Sequence, residues 1–341
     1  PPTDERRSGG VSRVFIIRGT GAASPPNARL GGTGGRVAIS MSADGAVTAS
    51  ARVRAHVALT KPLFVELLVA TALPTTFLAA GGLPPLVPTI AVMVGGTLAA
   101  GSANTFNSVY DRDIDALMGR TFHRPAAMGV VSVRAGIAQG IVLGVLSALV
   151  LLLMANALSA LLSLVAIAFY AVVYTMVLKR RTPQNIVWGG AAGCMPVLIA
   201  WAAVTGSLTW TPVVLFLIIF FWTPPHYWPL AMKFRDDYAA AGVPMLPVVA
   251  TPAVVARSIV IYSWVMVAMS LVLIPVAPMG WVYGIGAAVL GAAFIAQAHG
   301  LRRKVASGAP DVTATAMRLF QGSITYLALL FLLVALDPFL V

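Results

Sequence analysis

Asn104-Thr-Phe-Asn107-Ser-Val-Tyr-Asp111-Arg-Asp113-Ile-Asp115 closes a membrane-length apolar segment and packs three of the chain's eleven acidic residues into five positions. A carboxylate in hydrocarbon costs about 3 kcal/mol even on the lenient insertion scale, so such a cluster marks a polar cavity or interface with a chemical task. At a helical 100° per residue, Asn107, Asp111 and Asp115 drift only about 40° per step and share one face. Asn104 lies close beside them and Asp113 points away. One helix face therefore presents oxygen ligands.

The rest of the 341-residue chain is 59% hydrophobic and 10% charged, with a mean hydropathy of +0.88. No water-soluble core explains these values, and the expectation is an all-α, polytopic integral membrane protein. Nine stretches are long and apolar enough to cross a bilayer of about 30 Å, near residues 62–80, 86–109, 134–154, 157–178, 186–204, 211–231, 254–274, 278–298 and 318–336. Connections after the even-numbered spans carry Arg112, Arg120, Arg124, Lys179, Arg180, Arg181, Lys233, Arg235, Arg302, Arg303 and Lys304, and the alternate connections carry no Lys or Arg. The positive-inside rule then gives a cytoplasmic N-terminus, an outside C-terminus and a cytoplasmic acidic motif. Trp201, Trp210, Trp264 and Trp281 read as interfacial anchors near span ends.

Residues 1–55 are rich in Gly, Ala, Ser, Pro and Arg and lack the apolar core of a signal peptide, so they read as a disordered, basic cytoplasmic tail ahead of a domain over 56–341. Met41, before Ser-Ala-Asp, is an alternative start. Much of the +12 net charge sits in this tail, which favours anionic membrane lipid over nucleic acid as its neighbour. The lone Cys194 excludes an intramolecular disulfide and reads as a small core residue.

A second constellation, Phe221-Trp222-Thr-Pro224-Pro225-His226-Tyr227-Trp228-Pro229, runs on to Lys233-Phe-Arg235-Asp236-Asp237-Tyr238 at another cytoplasmic span end. The three prolines cannot donate backbone hydrogen bonds and are expected to break or kink the sixth span beside a cavity. Two facing carboxylate clusters suit Mg²⁺, which takes oxygen ligands and bridges to substrate phosphates. Arg112, Arg120, Arg124, Lys179, Arg180, Lys233 and Arg235 are candidate diphosphate binders, set against the plainer role of inner-leaflet cations in fixing topology. A metal with cationic side chains stabilises a diphosphate leaving group, and Phe106, Tyr110, Tyr174, Trp222 and Tyr227 are candidates to shield the resulting allylic cation.

The Asn107-x-x-x-Asp111-x-x-x-Asp115 pattern resembles the first signature of the UbiA-type intramembrane prenyltransferases. The longer run Asp111-Arg-Asp-Ile-Asp115-Ala-Leu-Met-Gly-Arg120-Thr-Phe-His-Arg124-Pro125 is similar to the branch of that family that farnesylates haem. So are Leu59-Thr-Lys61-Pro62, Tyr174 through Val187, Trp222-Thr-Pro-Pro-His226, Ala231 through Tyr238, and Gly242 through Pro247. The resemblance implies a nine-helix bundle around a central cavity open to the cytoplasmic side of the cell (inner) membrane. It also implies Mg²⁺ and a farnesyl group moved from farnesyl diphosphate to a vinyl of haem B, with water completing haem O. A haem A-forming enzyme or a terminal oxidase is the implied recipient.

By motif match, Asn107, Asp111, Asp115, Lys233, Asp236 and Asp237 are the catalytic set, with Asp111, Asp115 and Asp237 at the metal. Asn104, Tyr174, Gln184, Asn185, Trp222, His226 and Tyr227 line the haem or prenyl pocket, where His226 either faces the haem or is a buried, hydrogen-bonded imidazole. There are two departures from the family pattern. Ala240 and Ala241 stand where a second acid often follows Asp236 and Asp237, and Leu63 replaces an expected basic residue. Alternatives are a UbiA-type enzyme for a quinone precursor or chlorophyllide, a secondary transporter, and a non-catalytic haem-binding assembly factor. Acids gathered at helix ends rather than near the midplane count against transport.

Overall fold

The computed structural model describes residues 48–62, 65–277 and 279–340. The expected tail therefore lies outside the described residues up to position 47, as does Leu63. Its last stretch is not a tail: α1 (Ala49–Leu59) starts at a Thr48 cap and buries Ala51, Ala55 and Leu59 along one side. That i, i+4, i+8 stripe of small and apolar side chains gives the helix a face to pack.

Beyond α1 come α2 (Val65–Ala80), α3 (Leu86–Tyr110), α4 (Arg112–Leu117), α5 (Val133–Met154) and α6 (Ala157–Ala168). The chain goes on through α7 (Asn185–Thr205), α8 (Trp210–Lys233), α9 (Arg235–Ala240), α10 (Leu246–Val249), α11 (Pro252–Val276), α12 (Trp281–Ala306) and α13 (Val312–Leu336). No strand occurs among the described residues. Among the described residues eight helical segments are long and apolar enough to cross a membrane, so the chain is a multi-pass membrane protein. The first predicted span is shorter: the 16 residues of α2 give about 24 Å of helix, against a hydrocarbon core of about 30 Å. Gly81 and Gly82, both at positive φ, end it.

The neighbours of α3 fix where the first acidic motif ends up. Glycines 136, 140 and 144 of α5 let α3 approach so closely that a Cβ at Gly140 would sit 2.7 Å from the Phe106 ring and one at Gly136 2.3 Å from Val109. Ser102 Oγ donates to the Gly140 carbonyl and Ser147 Oγ to the Gly95 carbonyl, each at 2.7 Å. Helix α8 packs against α7, α11 and α13 and buries Leu215, Ile218, Ile219, Trp222 and Trp228. It runs as one helix through Pro224, Pro225 and Pro229, so of the expected break or kink the break does not occur. Proline removes an N–H but has a helical φ, and here Pro224, Pro225 and Pro229 are themselves buried in protein rather than facing lipid.

Trp210 and Trp281 open α8 and α12 and are exposed, as interfacial residues would be. Trp264 is corrected: it lies mid-way along α11, where its indole donates to His299 Nε2 at 3.2 Å. Cys194 is buried, as its size and polarity suggest.

At the end of the bundle opposite the acidic motifs, both carboxylate oxygens of buried Asp337 accept the Gly280 N–H, at 3.1 and 3.0 Å, and so cap α12. Asp337→Ala leaves that helix start unsatisfied and is expected to cost about 1–2 kcal/mol. A thermal-unfolding midpoint in detergent lowered by several degrees, and largely restored in Asp337→Asn, checks it.

Candidate active site

Asn107 lies in the last turn of α3, Asp111 sits at the α3–α4 junction and Asp115 lies in α4. Their exposures are 3%, 0% and 1%, whereas the Asp113 side chain is 59% exposed, the division that the 100° spacing implies. A buried carboxylate needs a partner. Lys179 Nζ pairs with Asp111 Oδ2, which also accepts from Asn107 Nδ2 at 2.7 Å. Arg124 Nη1 reaches both oxygens of Asp115, at 3.0 and 2.8 Å. Arg180 forks onto Asp113 with two contacts of 2.7 Å and lies 4.8 Å over the Tyr110 ring. That hydrogen bonding holds the Asp113 carboxyl down at about 2.

Lys179 arrives by an irregularity in the fourth long helix. After α6 the chain widens over Phe169–Leu178 into i→i+5 geometry, closed by Lys179 N–H donating to the Tyr174 carbonyl at 2.9 Å. Such π-helical stretches mark functional positions. This one brings the Thr175 hydroxyl within 3.1 Å of Asn107 Nδ2. Buried Asn185, at the start of α7, donates to the Lys179 carbonyl at 3.1 Å and keeps its own Oδ1 without a hydrogen-bond partner.

Lys61 and Thr175 are site residues that motif reading left without a role. Lys61 Nζ donates to Asn107 Oδ1 at 2.6 Å, which turns the Asn107 NH₂ toward Asp111. Lys61 has φ +51°, a left-handed conformation that costs a residue with a Cβ about 1–2 kcal/mol. Burial, then the nearby Arg124 and Lys179, pull its ammonium down to about 7. In the sequence the Lys61-Pro62 step marks only a break between two helices, with nothing to say that the lysine reaches the acidic motif.

The second motif is held against the first by an apolar cluster in which Ile114 and Met118 meet Ala231, Tyr238 and Ala241. Ala241, one of the two departures from the family pattern, is thus a packing residue here. Asp237 comes close to the first motif: a Cβ at Gly119 would lie 3.6 Å from its Oδ1. Arg120 donates to the Tyr238 hydroxyl at 3.2 Å, and the Tyr238 and Tyr227 hydroxyls are 3.1 Å apart. Burial raises the Tyr238 phenol well above its ordinary value, so it stays protonated.

Several predicted residues are placed elsewhere. Arg112 is exposed and donates to the Val109 carbonyl, and Arg235 Nε donates to the Pro247 carbonyl, so neither faces the buried carboxylates. Lys233 and Asp236 are exposed, with Lys233 lying 5.5 Å over the Phe234 ring. Gln184 is exposed at the cap of α7. Phe106 packs under Gly140. Asp111, Asp115 and Asp237 do not close into a cage: among the described residues no three His, Cys, Asp or Glu side chains group as metal ligands.

The donor set nonetheless fits a cation shared with an anion. Asp111 Oδ1 is buried without a hydrogen-bond partner, with Arg180 Nη2 3.6 Å away. Lys61, Lys179 and Arg124 surround two buried carboxylates, which leaves a demand for further negative charge. Mg²⁺ held by one or two carboxylates and completed by phosphate oxygens meets both conditions.

Deeper in the bundle, α2, α3, α6 and α7 line a partly open apolar cavity of about 170 Å³ whose polar end carries Asn104 and Tyr170. Asn104 also donates to the Thr60 carbonyl at 3.2 Å. Gly189 of α7 makes room for Tyr174, whose ring a Cβ there would meet at 2.1 Å. On α8, the His226 ring is stacked between Trp222, at 4.1 Å, and Phe320, at 4.7 Å, with Nδ1 2.7 Å from Ser323 Oγ. Trp222 donates to the Ser323 carbonyl at 2.8 Å.

Residues 68–323 match the sequence profile of the UbiA prenyltransferase family. A relative from Streptomyces avermitilis named "Protoheme IX farnesyltransferase" is 57% identical over 290 residues, covering 85% of this chain and 95% of the relative. One of the same name from Streptomyces coelicolor is 55% identical, covering 85% of this chain and 92% of the relative. Among solved structures, a digeranylgeranylglyceryl phosphate synthase matches with a TM-score of 0.69 at 14% identity, covering 85% of this chain and 99% of that one. A UbiA homolog from Archaeoglobus fulgidus bound to GPP and Mg²⁺ matches with a TM-score of 0.56 at 19% identity, covering 82% and 99%. At these identities the structural likeness is one of fold.

Proposed function

The chain belongs to the UbiA prenyltransferase family, and from that premise we propose that it transfers the farnesyl group of farnesyl diphosphate to a vinyl group of haem B, giving haem O. The observation that carries the site assignment is fully buried Asp111, with one oxygen on Lys179 and the other without a hydrogen bond, where Lys61 and Arg124 also converge. The diphosphate docks on these cations, and the prenyl chain runs past Asn104 and Tyr170 into the apolar cavity.

Asp111 and Asp115, with Asp237 of the facing α9, would hold Mg²⁺, which when bound would supply Lewis-acid stabilisation of the departing diphosphate. Lys179, Arg124 and Arg120 take up the negative charge that grows on the leaving oxygens. The allylic C–O bond breaks, and the terminal vinyl carbon of haem B bonds to farnesyl C1. Water adds to the carbon next to the pyrrole and loses a proton. Haem B, farnesyl diphosphate and water thus give haem O and diphosphate. Tyr170, which lines the cavity, and Tyr174, with ring centroids 5.2 Å apart, are the aromatic groups that would shield the cation.

His226 has the state needed to face or ligate the haem iron. Ser323 donates its only hydroxyl proton to the Phe320 carbonyl at 2.6 Å, so its oxygen accepts from His226 Nδ1–H, and the lone pair is left on Nε2. Stacking on Trp222 and Phe320 fixes the ring's plane. By the charge of its connections, the acidic end faces the cytoplasm at the cell's inner membrane, with the C-terminus outside. The product passes to a haem A-forming enzyme or a terminal oxidase.

Purified protein in nanodiscs, given haem B, farnesyl diphosphate and Mg²⁺, is expected to yield haem O by mass spectrometry of the porphyrin. Prenylation of a quinone precursor or chlorophyllide in preference to haem B, or donor flux without chemical conversion, would overturn this reading.

A further inference from the structure

We infer that Gly193 sets the length of prenyl chain the enzyme accepts, by leaving open the part of the apolar cavity that a side chain at this position would fill. The inference rests on the reading of that cavity as the prenyl site. Three glycines of α7 invite comparison. A Cβ at Gly189 would strike the Tyr174 ring at 2.1 Å, and one at Gly190 would meet Thr223 at 2.9 Å, so close packing accounts for both. At Gly193 an added Cβ meets nothing within 4 Å, and the residue lines the cavity. It sits inside a regular helix and is absent from the glycines at positive φ, so the backbone does not require it either. A glycine in a helix interior sacrifices stability relative to alanine. Its remaining consequence is empty space.

The depth of that space suits a gauge. Gly193 lies eight residues into α7 from Asn185, about 12 Å along the axis, and Ala103 lies eight residues before Asp111 on α3 at the same rise. Both line the cavity, which continues to Val92 and Ile199, about 20 Å or more from the carboxylate end. A larger side chain at 193 therefore projects into the cavity between its polar end and its floor. It spares the diphosphate cluster and the first isoprene unit while obstructing the units beyond.

The test offers dimethylallyl, geranyl and farnesyl diphosphates in competition, with haem B and Mg²⁺, to the native protein, Gly193→Ala and Gly193→Leu. Products are separated by mass and folding is followed by thermal midpoint. The native protein is expected to prefer farnesyl. Gly193→Leu is expected to lower the farnesyl-to-geranyl ratio of kcat/KM at least tenfold. Gly193→Ala, which fits without displacing any atom, is expected to shift the ratio in the same direction by less and to raise the midpoint. Folded variants that keep the native ratio, or that lose all donors equally, would overturn the gauge while leaving the proposed function standing. A native protein that farnesylates no haem overturns both.

Discussion

Asp111→Asn is expected to reduce haem O formation about a thousandfold or more while leaving the bundle folded. Asparagine keeps the shape of the side chain and an oxygen that can accept from Lys179 and Asn107, the two groups now bonded to Asp111 Oδ2. What disappears is the negative charge, and with it the oxygen that is buried without a hydrogen bond. A thousandfold loss corresponds to about 4 kcal/mol of barrier, within the reach of one preorganised electrostatic contact at a departing anion. Single-turnover formation of haem O, with the thermal midpoint measured beside it, separates this from unfolding. Asp113→Asn is the internal control: that carboxylate is exposed and pairs with Arg180 at the rim, so its rate should stay within a few-fold of native.

Lys179→Met is expected to have the largest effect on stability of any substitution in the site. Asp111 is fully buried, and Lys179 is its one close ion-pair partner, since Arg180 remains 3.6 Å away. Removing one member of a buried pair strands the other charge, at a cost of about 3–5 kcal/mol. The thermal midpoint should fall markedly, and activity with it. In Lys179→Met/Asp111→Asn no charge is stranded, so the double variant should be more stable than Lys179→Met alone. A double-mutant cycle on unfolding free energies reads the coupling directly. Additive effects would mean that the pair does not hold the junction of α3 and α4.

The first acidic motif was legible because two independent pressures act on it: the four-residue spacing gathers Asn107, Asp111 and Asp115, and membrane burial makes an idle carboxylate expensive. Asp113, outside that spacing, is exposed. Lys61 was not legible as a site residue, since it is 46 positions from Asn107 and reaches it only because the chain turns left-handed between α1 and α2. Thr175, 68 positions from Asn107, depends on the π-helical widening, which no periodicity announces. Arg112 and Arg235 sit in the right loops, but a long side chain satisfies whichever acceptor is nearest, and theirs are the Val109 and Pro247 carbonyls. The proline run in α8 misled for a related reason: its sequence records the missing donors, whereas burial of the helix among its neighbours decides whether they break it.

The most direct test of the central claim counts inorganic diphosphate released per haem O formed, with Mg²⁺ varied, in the native protein and in Asp111→Asn. One diphosphate per haem O, abolished by chelation and by the substitution, is the predicted result. Haem O formed at the native rate under chelation, or by Asp111→Asn, would contradict the account, because the buried carboxylate would then have no part in releasing the diphosphate.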